Sequence, residues 1–371
     1  MRILVTDGHY KHTLGIVRAL APEHEVLVAA PRRLAMAAVS RHAVKRLIAP
    51  PSADQVRLLG WLDREIPRRG IEQVMPVSAA ACELLASHAD RWPGTAIVLP
   101  RAEQMAVALD KRSTMAVAAS IGIAVPRTAE LESLDGLDRA AEEVGFPLVL
   151  KAPLEGPSGV AYVDRAEDLQ AAVVTWMTKN RSTDPPLLQQ RIVGPGLGVF
   201  ATYQRGQCRR IMAHRRIREF PPSGGESTCC ELSTDAEAID AGRRLLDTLG
   251  WHGVAMVELK RHEADGRLYL MEINPKFWGS LDLALAAGAD FPGDLARIAA
   301  GEELGDQPPP GGPLRFCWPL GNDLRYLVAR PSSWRRVLAD WSGGARTNLR
   351  ASDPLPHLVE LAGTLGRMTR G

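Results

Sequence analysis

Four residues in the last third of the chain have side chains that together could bind a metal ion and phosphate. They are Glu258, Glu272, Asn274 and Lys276. Because side chains on a strand repeat every two residues, the last three share one face of a predicted strand. Carboxylate and amide oxygens suit a hard cation, and an ammonium group suits phosphate. The four residues therefore predict a metal and phosphate site, for which the alternative is a surface hairpin with solvated charges.

The elements that carry these residues are predicted to be two strands joined by a tight turn. Residues 257–260 and 268–276 include runs of β-forming side chains, and the intervening stretch 262–266 ends in Asp-Gly, a strong hairpin signal. Glu258 and Glu272 fall near the strand ends away from this turn. Antiparallel pairing could therefore bring the two carboxylates side by side.

A second group of residues predicts a phosphate-binding loop further upstream. The apolar run 148–150 ends at Lys151, which either reaches water or points at an anion. The glycine-rich turn 155–160 follows at once, and the backbone N–H groups of such turns can cradle phosphates. Alone it is an ordinary tight turn, but together with Lys151 it is a phosphate-loop candidate.

An arginine cluster lies between these two groups. The stretch 214–227 contains Arg215, Arg216 and Arg218 together with several Gly and Pro residues. This composition predicts a loop that embraces an anion, and a solvated surface loop is the competing interpretation.

Length and composition limit the class of protein. The 371 residues predict two or three packed units, and 46% hydrophobic residues are enough for globular cores. The formal net charge is only +2, and no basic stripe is interleaved with aromatics, so neither nucleic acid nor a membrane is an expected partner. Five cysteines without a CxxC spacing favour reduced thiols. The chain starts directly in a strand and lacks a signal peptide or membrane span, which predicts a cytoplasmic location.

The N-terminal third alternates strands with helices, which predicts a parallel, doubly wound sheet. The predicted strands are residues 2–6, 24–30, 44–48, 73–76 and 96–99, and the predicted helices are residues 13–20, 52–69 and 79–89. Such sheets bind ligands at the carboxyl ends of their strands, so residues 7–12 and 76–78 could line a pocket. His9 and His12, in the first of these loops, are assigned no role.

Several segments together resemble the ATP-grasp superfamily, specifically its carboxylate–amine (or thiol) ligases. They are LDKRSTMAVAASIGIAVPRT, FPLVLKAPLEGPSGV, LLQQRIVGPGLGV, HRRIREFPPSGGES and GVAMVELKRHEADGRLYLMEINPKFWGS. Each is weak alone, whereas their order and spacing are specific, and the resemblance covers roughly residues 1–305.

The resemblance implies an α/β N-terminal doubly wound parallel-sheet domain followed by a two-lobed ATP-grasp fold of the α+β type. The implied domains are an N-terminal domain (1–110), a small mobile lobe or lid (111–188), a large lobe with the metal site (189–306) and a C-terminal tail or helical cap (307–371).

The resemblance also implies roles for individual residues. The ATP-binding set is Lys111, Lys151, Gly156, Ser158, Gly159, Gln189, Gln190, Arg191 and Ile192. The metal ligands are Glu258, Glu272 and Asn274, for two Mg²⁺ ions with Mn²⁺ as an alternative. The catalytic set is Lys276, Arg218 and Arg216. Relatives usually have arginine at the position of Lys276, which keeps the charge but lacks the planar guanidinium fork.

The implied activity is ATP-dependent formation of an amide or peptide bond through an acyl phosphate, on amino-acid-like or other small carboxylic acids. The implied partners are a small carboxylate and an amine, and a homodimer is left open. Two alternatives remain: a nucleotide-binding protein without ligase turnover, and an ATP-grasp enzyme that uses a thiol or bicarbonate acceptor.

Overall fold

The computed structural model describes residues 1–131, 133–152 and 159–369. These residues form two compact units. The first unit consists of Met1–Met105, Gly198–Met256 and the chain from Asn274 onward, and the second consists of Ala106–Leu197 and Val257–Ile273. Within the described ranges, no helix has both the length and the apolar character needed to cross a membrane. The domain boundaries implied by the resemblance stay a prediction.

The strands are β1 (Arg2–Val5), β2 (Glu25–Ala30), β3 (Lys45–Ile48), β4 (Gln73–Met75), β5 (Thr128–Ala129), β6 (Leu148–Lys151), β7 (Ala161–Val163), β8 (Leu187–Gln190), β9 (Gly196–Gln204), β10 (Gln207–Phe220), β11 (Glu226–Ser233), β12 (Gly253–Arg261), β13 (Leu268–Asn274), β14 (Arg315–Cys317) and β15 (Arg346–Thr347).

The helices are α1 (Lys11–Leu20), α2 (Gln55–Arg69), α3 (Ala79–Ala86), α4 (Ala102–Leu109), α5 (Lys111–Ser120), α6 (Leu137–Val144), α7 (Leu169–Asn180), α8 (Ala236–Thr248), α9 (Leu281–Ala286), α10 (Phe291–Ala299), α11 (Leu324–Ala329), α12 (Trp334–Ser342) and α13 (Leu355–Met368).

The first unit contains the predicted parallel sheet, in the order β3-β2-β1-β4. Ile3 and Val5 belong to the hydrophobic cluster on one face of β1, and Leu4 belongs to the cluster on the other face. Both faces are therefore covered, as is usual for a parallel sheet. The doubly wound prediction is confirmed.

One predicted strand of this sheet, residues 96–99, is absent from the described residues as a strand. Ala96 makes a single parallel bridge to Gln73, and no ladder continues from it. Pro100 follows, and because proline has no N–H to donate, it cannot extend a ladder. The prediction of a fifth parallel strand was therefore wrong.

The loop after β1 is held in place at the carboxyl edge of this sheet. Asp7 has a positive φ of 55°. Its carboxylate accepts hydrogen bonds from Ser52 Oγ (2.7 Å) and from the backbone N of Ser78 (3.2 Å). Thr13 Oγ1 donates to the carbonyl oxygen of Asp7 at 2.9 Å. These bonds fix where the first turn of α1, which begins at Lys11, lies relative to the strand ends.

The stretch 214–227 is not a loop throughout, as predicted, but the second half of β10, the turn 221–225 and the start of β11. β10 pairs with β11 from Ala213 opposite Ser233 to Phe220 opposite Glu226, with register irregularities near Arg216 and Arg218. The prediction was wrong because it relied on the local Gly, Pro and Arg content, whereas residues 213–220 pair with 226–233 as strands. Arg218 is buried in this strand, and its carboxylate partners lie more than 100 residues away.

The predicted hairpin of β12 and β13 is confirmed. The backbone N of His262 donates to the carbonyl oxygen of Arg267 at 2.8 Å and closes the turn. Gly266 has a φ of 70°, a conformation that glycine adopts without strain. Asp265 Oδ1 accepts from the backbone N of Arg267 at 2.9 Å. The two strands belong to a sheet of order β13-β12-β9-β10-β11-β14-β15.

The second unit contains an antiparallel sheet of order β5-β8-β6-β7, with α6 and α7 contributing to its core. Leu148, Leu150 and Leu188 are fully buried in this core together with Val173 of α7 and Val144 of α6. Lys151 ends β6 opposite Leu187 of β8. The apolar run 148–150 thus places its leucines in the core, and Lys151 lies at the end of the strand.

A buried ion pair connects the C-terminal segment, residues 307–371, with helix α1 of the first unit. Arg18 of α1 donates to Asp353 at 3.0 Å and to the carbonyl oxygen of Asn348 at 2.9 Å. Asp353 also accepts from Ser40 Oγ (2.8 Å) and from the backbone N of Arg41 (3.0 Å). The segment is therefore an integral part of this unit.

This ion pair predicts a specific loss of stability in acid. Burial raises the pKa of Asp353, but the hydrogen bonds from Arg41, Ser40 and Arg18 outweigh burial and lower it overall. A depressed folded-state pKa stabilises the protein above the unfolded value of about 3.9, and this stability is lost as the pH falls through the folded pKa. Urea unfolding from pH 7 to pH 3 should show a smaller acid-dependent decrease in Asp353→Asn than in wild type. Equal pH slopes for the two proteins would contradict this assignment.

Candidate functional site

Lys151 and Gln189 lie on neighbouring antiparallel strands of the second unit and bond to each other. Lys151 Nζ donates to Gln189 Oε1 at 2.8 Å. The amide nitrogen of Gln189 donates to Thr128 Oγ1 at 3.0 Å, which fixes the orientation of the amide. Gln189 is only 1% exposed. Its side chain therefore positions Lys151, and its implied place in the ATP-binding set stays a prediction.

Lys151 belongs to a group of charged residues in the second unit. Burial lowers the pKa of Lys151, the carboxylates of Glu272 and Glu258 oppose this, and the ammonium groups of Lys111 and Lys260 add to it. Lys111 Nζ lies 3.9 Å from Glu272 Oε2. We call these five residues the lysine–glutamate cluster. Three ammonium groups against two carboxylates give it a formal charge of +1, which favours a polyanion.

The elements of the second unit explain how two of these lysines are presented. Lys111 is the first residue of α5, because the side chain of Asp110 accepts from the backbone N of Arg112 and caps the helix. Lys260 is two residues after Glu258 on β12, and its Nζ donates to the carbonyl oxygen of Ile192 at 3.3 Å. Sequence reasoning missed Lys260, although its two-residue spacing from Glu258 was the available signal.

The proposed metal ligands fit a hard divalent cation by their chemistry. Glu258 and Glu272 are half-buried, and Asn274 follows Glu272 by two residues on β13. Oxygen donors of this kind suit Mg²⁺ better than softer metals. Asn274 Oδ1 accepts a hydrogen bond from Lys276 Nζ at 3.1 Å. The amide and the lysine predicted to share one face are therefore in direct contact.

The remaining residues of the implied nucleotide set make structural contacts. The backbone N of Gln190 donates to the carbonyl oxygen of Arg127 at 2.8 Å, and Arg191 pairs with Asp164 at 2.9 Å. Ile192 is buried in a small apolar cluster. Their contact with ATP stays a prediction.

Only part of the predicted phosphate loop lies in the described part of the chain. The backbone N of Gly159 donates to Asn180 Oδ1 at 2.9 Å, and its carbonyl oxygen accepts from Trp176 Nε1 at 2.6 Å. Both polar backbone groups of Gly159 are therefore used within the protein. Gly156 and Ser158 lie outside the described residues.

The three arginines of β10, in the first unit, have different surroundings. Arg215 is exposed and pairs with Glu231, with Nε 3.1 Å from Oε1. Arg216 Nη1 donates to Glu219 Oε1 at 3.0 Å.

Arg218 is the most buried of the three, with a side chain only 2% exposed. It donates to Asp323 at 2.9 Å through both Nε and Nη2, and to Asp340 through Nη1. These contacts identify a structural position for Arg218, and a role for it at the reacting groups stays a prediction.

Comparison with known proteins supplies independent evidence on the family. The family described as ATP-grasp in the biosynthetic pathway with Ter operon matches residues 185–318. A D-alanine–D-alanine ligase of Pseudomonas putida (strain GB-1) is 32% identical over 203 residues, which is 50% of this chain and 62% of the ligase. A D-alanine–D-alanine ligase of Ectopseudomonas mendocina is 30% identical over 210 residues, covering 50% and 63% of the two chains. The chain thus spans less than two thirds of these relatives.

Solved structures resemble most of the chain. A biotin carboxylase–β,γ-ATP complex from Campylobacter jejuni has a TM-score of 0.67 at 15% identity, covering 82% of this chain and 71% of that one. An L-amino acid ligase from Bacillus licheniformis has a TM-score of 0.62 at 18% identity, covering 82% and 75%. At these identities the likeness is one of fold, and it agrees with the mixed α/β architecture described above.

Proposed function

We propose that the chain is a cytoplasmic, ATP-dependent ligase of the ATP-grasp superfamily that joins a small carboxylic acid to an amine, in agreement with the family match over residues 185–318 and the similarity to D-alanine–D-alanine ligases. The lysine–glutamate cluster is the observation that carries this proposal. It combines cations for a polyphosphate with carboxylates for a divalent ion. Relatives named D-alanine–D-alanine ligase and L-amino acid ligase support amino acids as the substrate class.

In the proposed reaction, the substrate carboxylate attacks the γ-phosphate of ATP and forms an acyl phosphate and ADP. Lys151 and Lys111 would contact the phosphates of ATP, and Lys276 would hold the transferred phosphoryl group. The nitrogen of a neutral amine then attacks the acyl carbon. The bond from that carbon to the phosphate oxygen breaks, the amine proton passes to the leaving phosphate, and the products are an amide and hydrogen phosphate.

Glu258, Glu272 and Asn274 would hold Mg²⁺, with two ions or Mn²⁺ as forms to be tested. When bound, the metal neutralises charge on the phosphates during transfer. Arg216 is the better candidate than Arg218 for an additional phosphate or carboxylate contact, because Arg218 is committed to two buried carboxylates. Gln189 keeps the ammonium of Lys151 oriented.

The proposal predicts acid-dependent ADP formation. The protein is incubated with ATP and Mg²⁺, with each of a panel of amino acids and other small acids, with and without an amine, and phosphate release and product mass are measured. Hydroxylamine is added in a parallel set, because it converts an acyl phosphate to a stable hydroxamate. An added acid should increase ADP formation, and an amide should appear only when an amine is present.

The same assay separates the alternatives. Product formation with a thiol or bicarbonate in place of the amine would assign a different acceptor. Tight ATP binding without ADP formation across the whole panel would reject the ligase proposal in favour of a nucleotide-binding protein.

A further inference from the structure

The first unit contains an exposed carboxylate that its neighbours hold through one oxygen. Glu226 opens β11, and its Oε2 accepts from Asn322 Nδ2 at 3.2 Å and lies 3.6 Å from Lys11 Nζ. Asn322 is itself oriented, because Arg325 Nη1 donates to its Oδ1 at 3.4 Å. In the described part of the chain both contacts go to Oε2. The side chain is 64% exposed, so Oε1 is accessible to a ligand.

Lys11 is engaged within the protein and does not occupy this free oxygen. Its side chain is 12% exposed, and Nζ donates to the carbonyl oxygen of Ser227 at 3.2 Å. Nζ also lies 4.6 Å from the centre of the Trp318 ring, a cation–π contact. Lys11 is therefore one of the residues that fix the position of Glu226.

The residue after Lys11, which itself contacts Glu226, is a buried histidine with unused hydrogen-bonding capacity. His12 is only 9% exposed and makes no hydrogen bond to any residue that the structure describes. Burial lowers the pKa of His12 to about 3, while Glu226 raises it, and Lys11 and Lys276 lower it. The imidazole is therefore neutral at pH 7, and one of its nitrogens is a hydrogen-bond acceptor. The ring of Tyr10, which is partly exposed, stacks on His12 with centroids 5.2 Å apart.

A glycine keeps the space beside these groups open. A Cβ on Gly279 would lie 3.2 Å from Lys11 Cε and 3.9 Å from Glu226 Cδ. Any side chain there would therefore crowd the approach to Glu226. Gly279 is three residues after Lys276, so the same short segment carries the phosphoryl-binding candidate and borders the carboxylate.

The three acceptor groups match one kind of ligand. A protonated primary amine has three N–H donors and no acceptor, as in lysine. We propose that Glu226 Oε1, the imidazole of His12 and the aromatic ring of Tyr10 form a subsite for the ammonium group of the amine substrate. This proposal rests on the proposed ligase function and assigns that reaction an acceptor that arrives as a cation, such as the ammonium of an amino acid.

The neighbouring lysine gives this subsite a second property. Lys11 Nζ lies 3.6 Å from Glu226 Oε2, so its positive charge also acts on a ligand bound at this carboxylate. A nearby like charge disfavours the protonated form of a bound amine. The subsite thus recognises an ammonium group and eases its loss of a proton, which the nitrogen must lose before it can attack an acyl carbon.

Binding measurements test the subsite without relying on turnover. Amino acids, their methyl esters and their N-acetyl derivatives are titrated calorimetrically into the protein, alone and after saturation with Mg²⁺ and a non-hydrolysable ATP analogue. The methyl esters keep the ammonium and lose the carboxylate, whereas the N-acetyl derivatives lose the ammonium. The free amino acids that bind should also bind as methyl esters, and their N-acetyl forms should bind at least about tenfold more weakly.

Glu226→Gln should remove most of this discrimination, because it replaces the carboxylate with a neutral amide of the same shape. Glu83→Gln, on the exposed side of α3, is the matched control and should retain it. His12→Asn should weaken ammonium binding without changing the affinity for the ATP analogue. A Glu226→Gln protein that discriminates as wild type does would overturn the subsite. So would the absence of ammonium-dependent binding to the wild-type protein, both alone and after saturation with Mg²⁺ and the ATP analogue.

The two proposals fail in different ways. Acid-dependent ADP formation with an unchanged KM for the amine in Glu226→Gln would reject the subsite and keep the ligase. Ammonium-dependent binding that is lost in Glu226→Gln, without ADP formation on any acid, would keep the subsite and reject the ligase.

Discussion

Replacing Glu272 with glutamine is expected to lower ATP turnover by roughly 10²-fold or more. A metal ion that neutralises the transferring phosphate lowers the activation barrier by several kcal/mol, and each 1.36 kcal/mol corresponds to a factor of ten in rate. Glu272 is a proposed ligand of this ion and the carboxylate 3.9 Å from Lys111. It also opposes the effect of burial on the pKa of Lys151. Its replacement therefore removes a metal ligand and one of the two negative charges that oppose the positive charges of the lysines.

The measurement is ADP formation at saturating acid and amine, with thermal unfolding recorded for the same samples. Glu263→Gln is the matched control, because Glu263 lies exposed in the turn of the same hairpin. It should turn over like wild type. Glu272→Gln should show its defect at an unfolding temperature close to that of the control. Full turnover in Glu272→Gln would show that the metal site has been assigned to the wrong residues.

Replacing Arg218 with methionine is expected to lower the free energy of unfolding by about 3–5 kcal/mol, the usual cost of removing one partner from a buried ion pair. Asp323 is fully buried, and its carboxylate also accepts from Thr228 Oγ1 and Trp341 Nε1, both at 2.8 Å. These neutral donors do not replace the lost charge. Arg315 still pairs with Asp340 at 2.7 Å, so the loss falls mainly on Asp323.

Urea unfolding at pH 7 measures this loss. Arg215→Met, on the same strand but exposed, is the control and should lose less than about 1 kcal/mol. Arg216→Met separates stability from catalysis, because it should reduce ADP formation more than it reduces stability. If Arg218→Met unfolds like wild type and yet fails to turn over ATP, then Arg218 acts at the reacting groups and its contacts with Asp323 and Asp340 are secondary.

Local patterns predict part of this site from the sequence. The hairpin of β12 and β13 is predictable because apolar segments and an Asp-Gly pair at position 265–266 specify a tight turn within a few residues. Lys151 is also predictable from a local pattern: the apolar run before it must be buried, which places the lysine at the end of the strand. In both cases the determining interactions are close in sequence.

Side chains whose partners are distant in sequence could not be predicted in the same way. Arg218 looks like a surface arginine until Asp323 and Asp340, more than 100 residues later, are placed beside it. The role of residues 307–371 could not be read from the sequence either, because Arg18 and Asp353 are 335 positions apart. Sequence patterns carry no information on such pairs, since each of these charged residues taken alone resembles an ordinary surface residue.

The bond between Lys151 and Gln189 has a consequence for the thermodynamics of the proposed nucleotide binding. Ordering a free lysine side chain costs up to about 2 kcal/mol of rotamer entropy. Here the amide of Gln189, held by Thr128, already restricts the lysine in the protein without ligand. Lysine has three N–H donors, so one bond to Gln189 leaves two for phosphate oxygens. The cation is preorganised, and most of its ordering entropy is lost during folding, before any phosphate arrives.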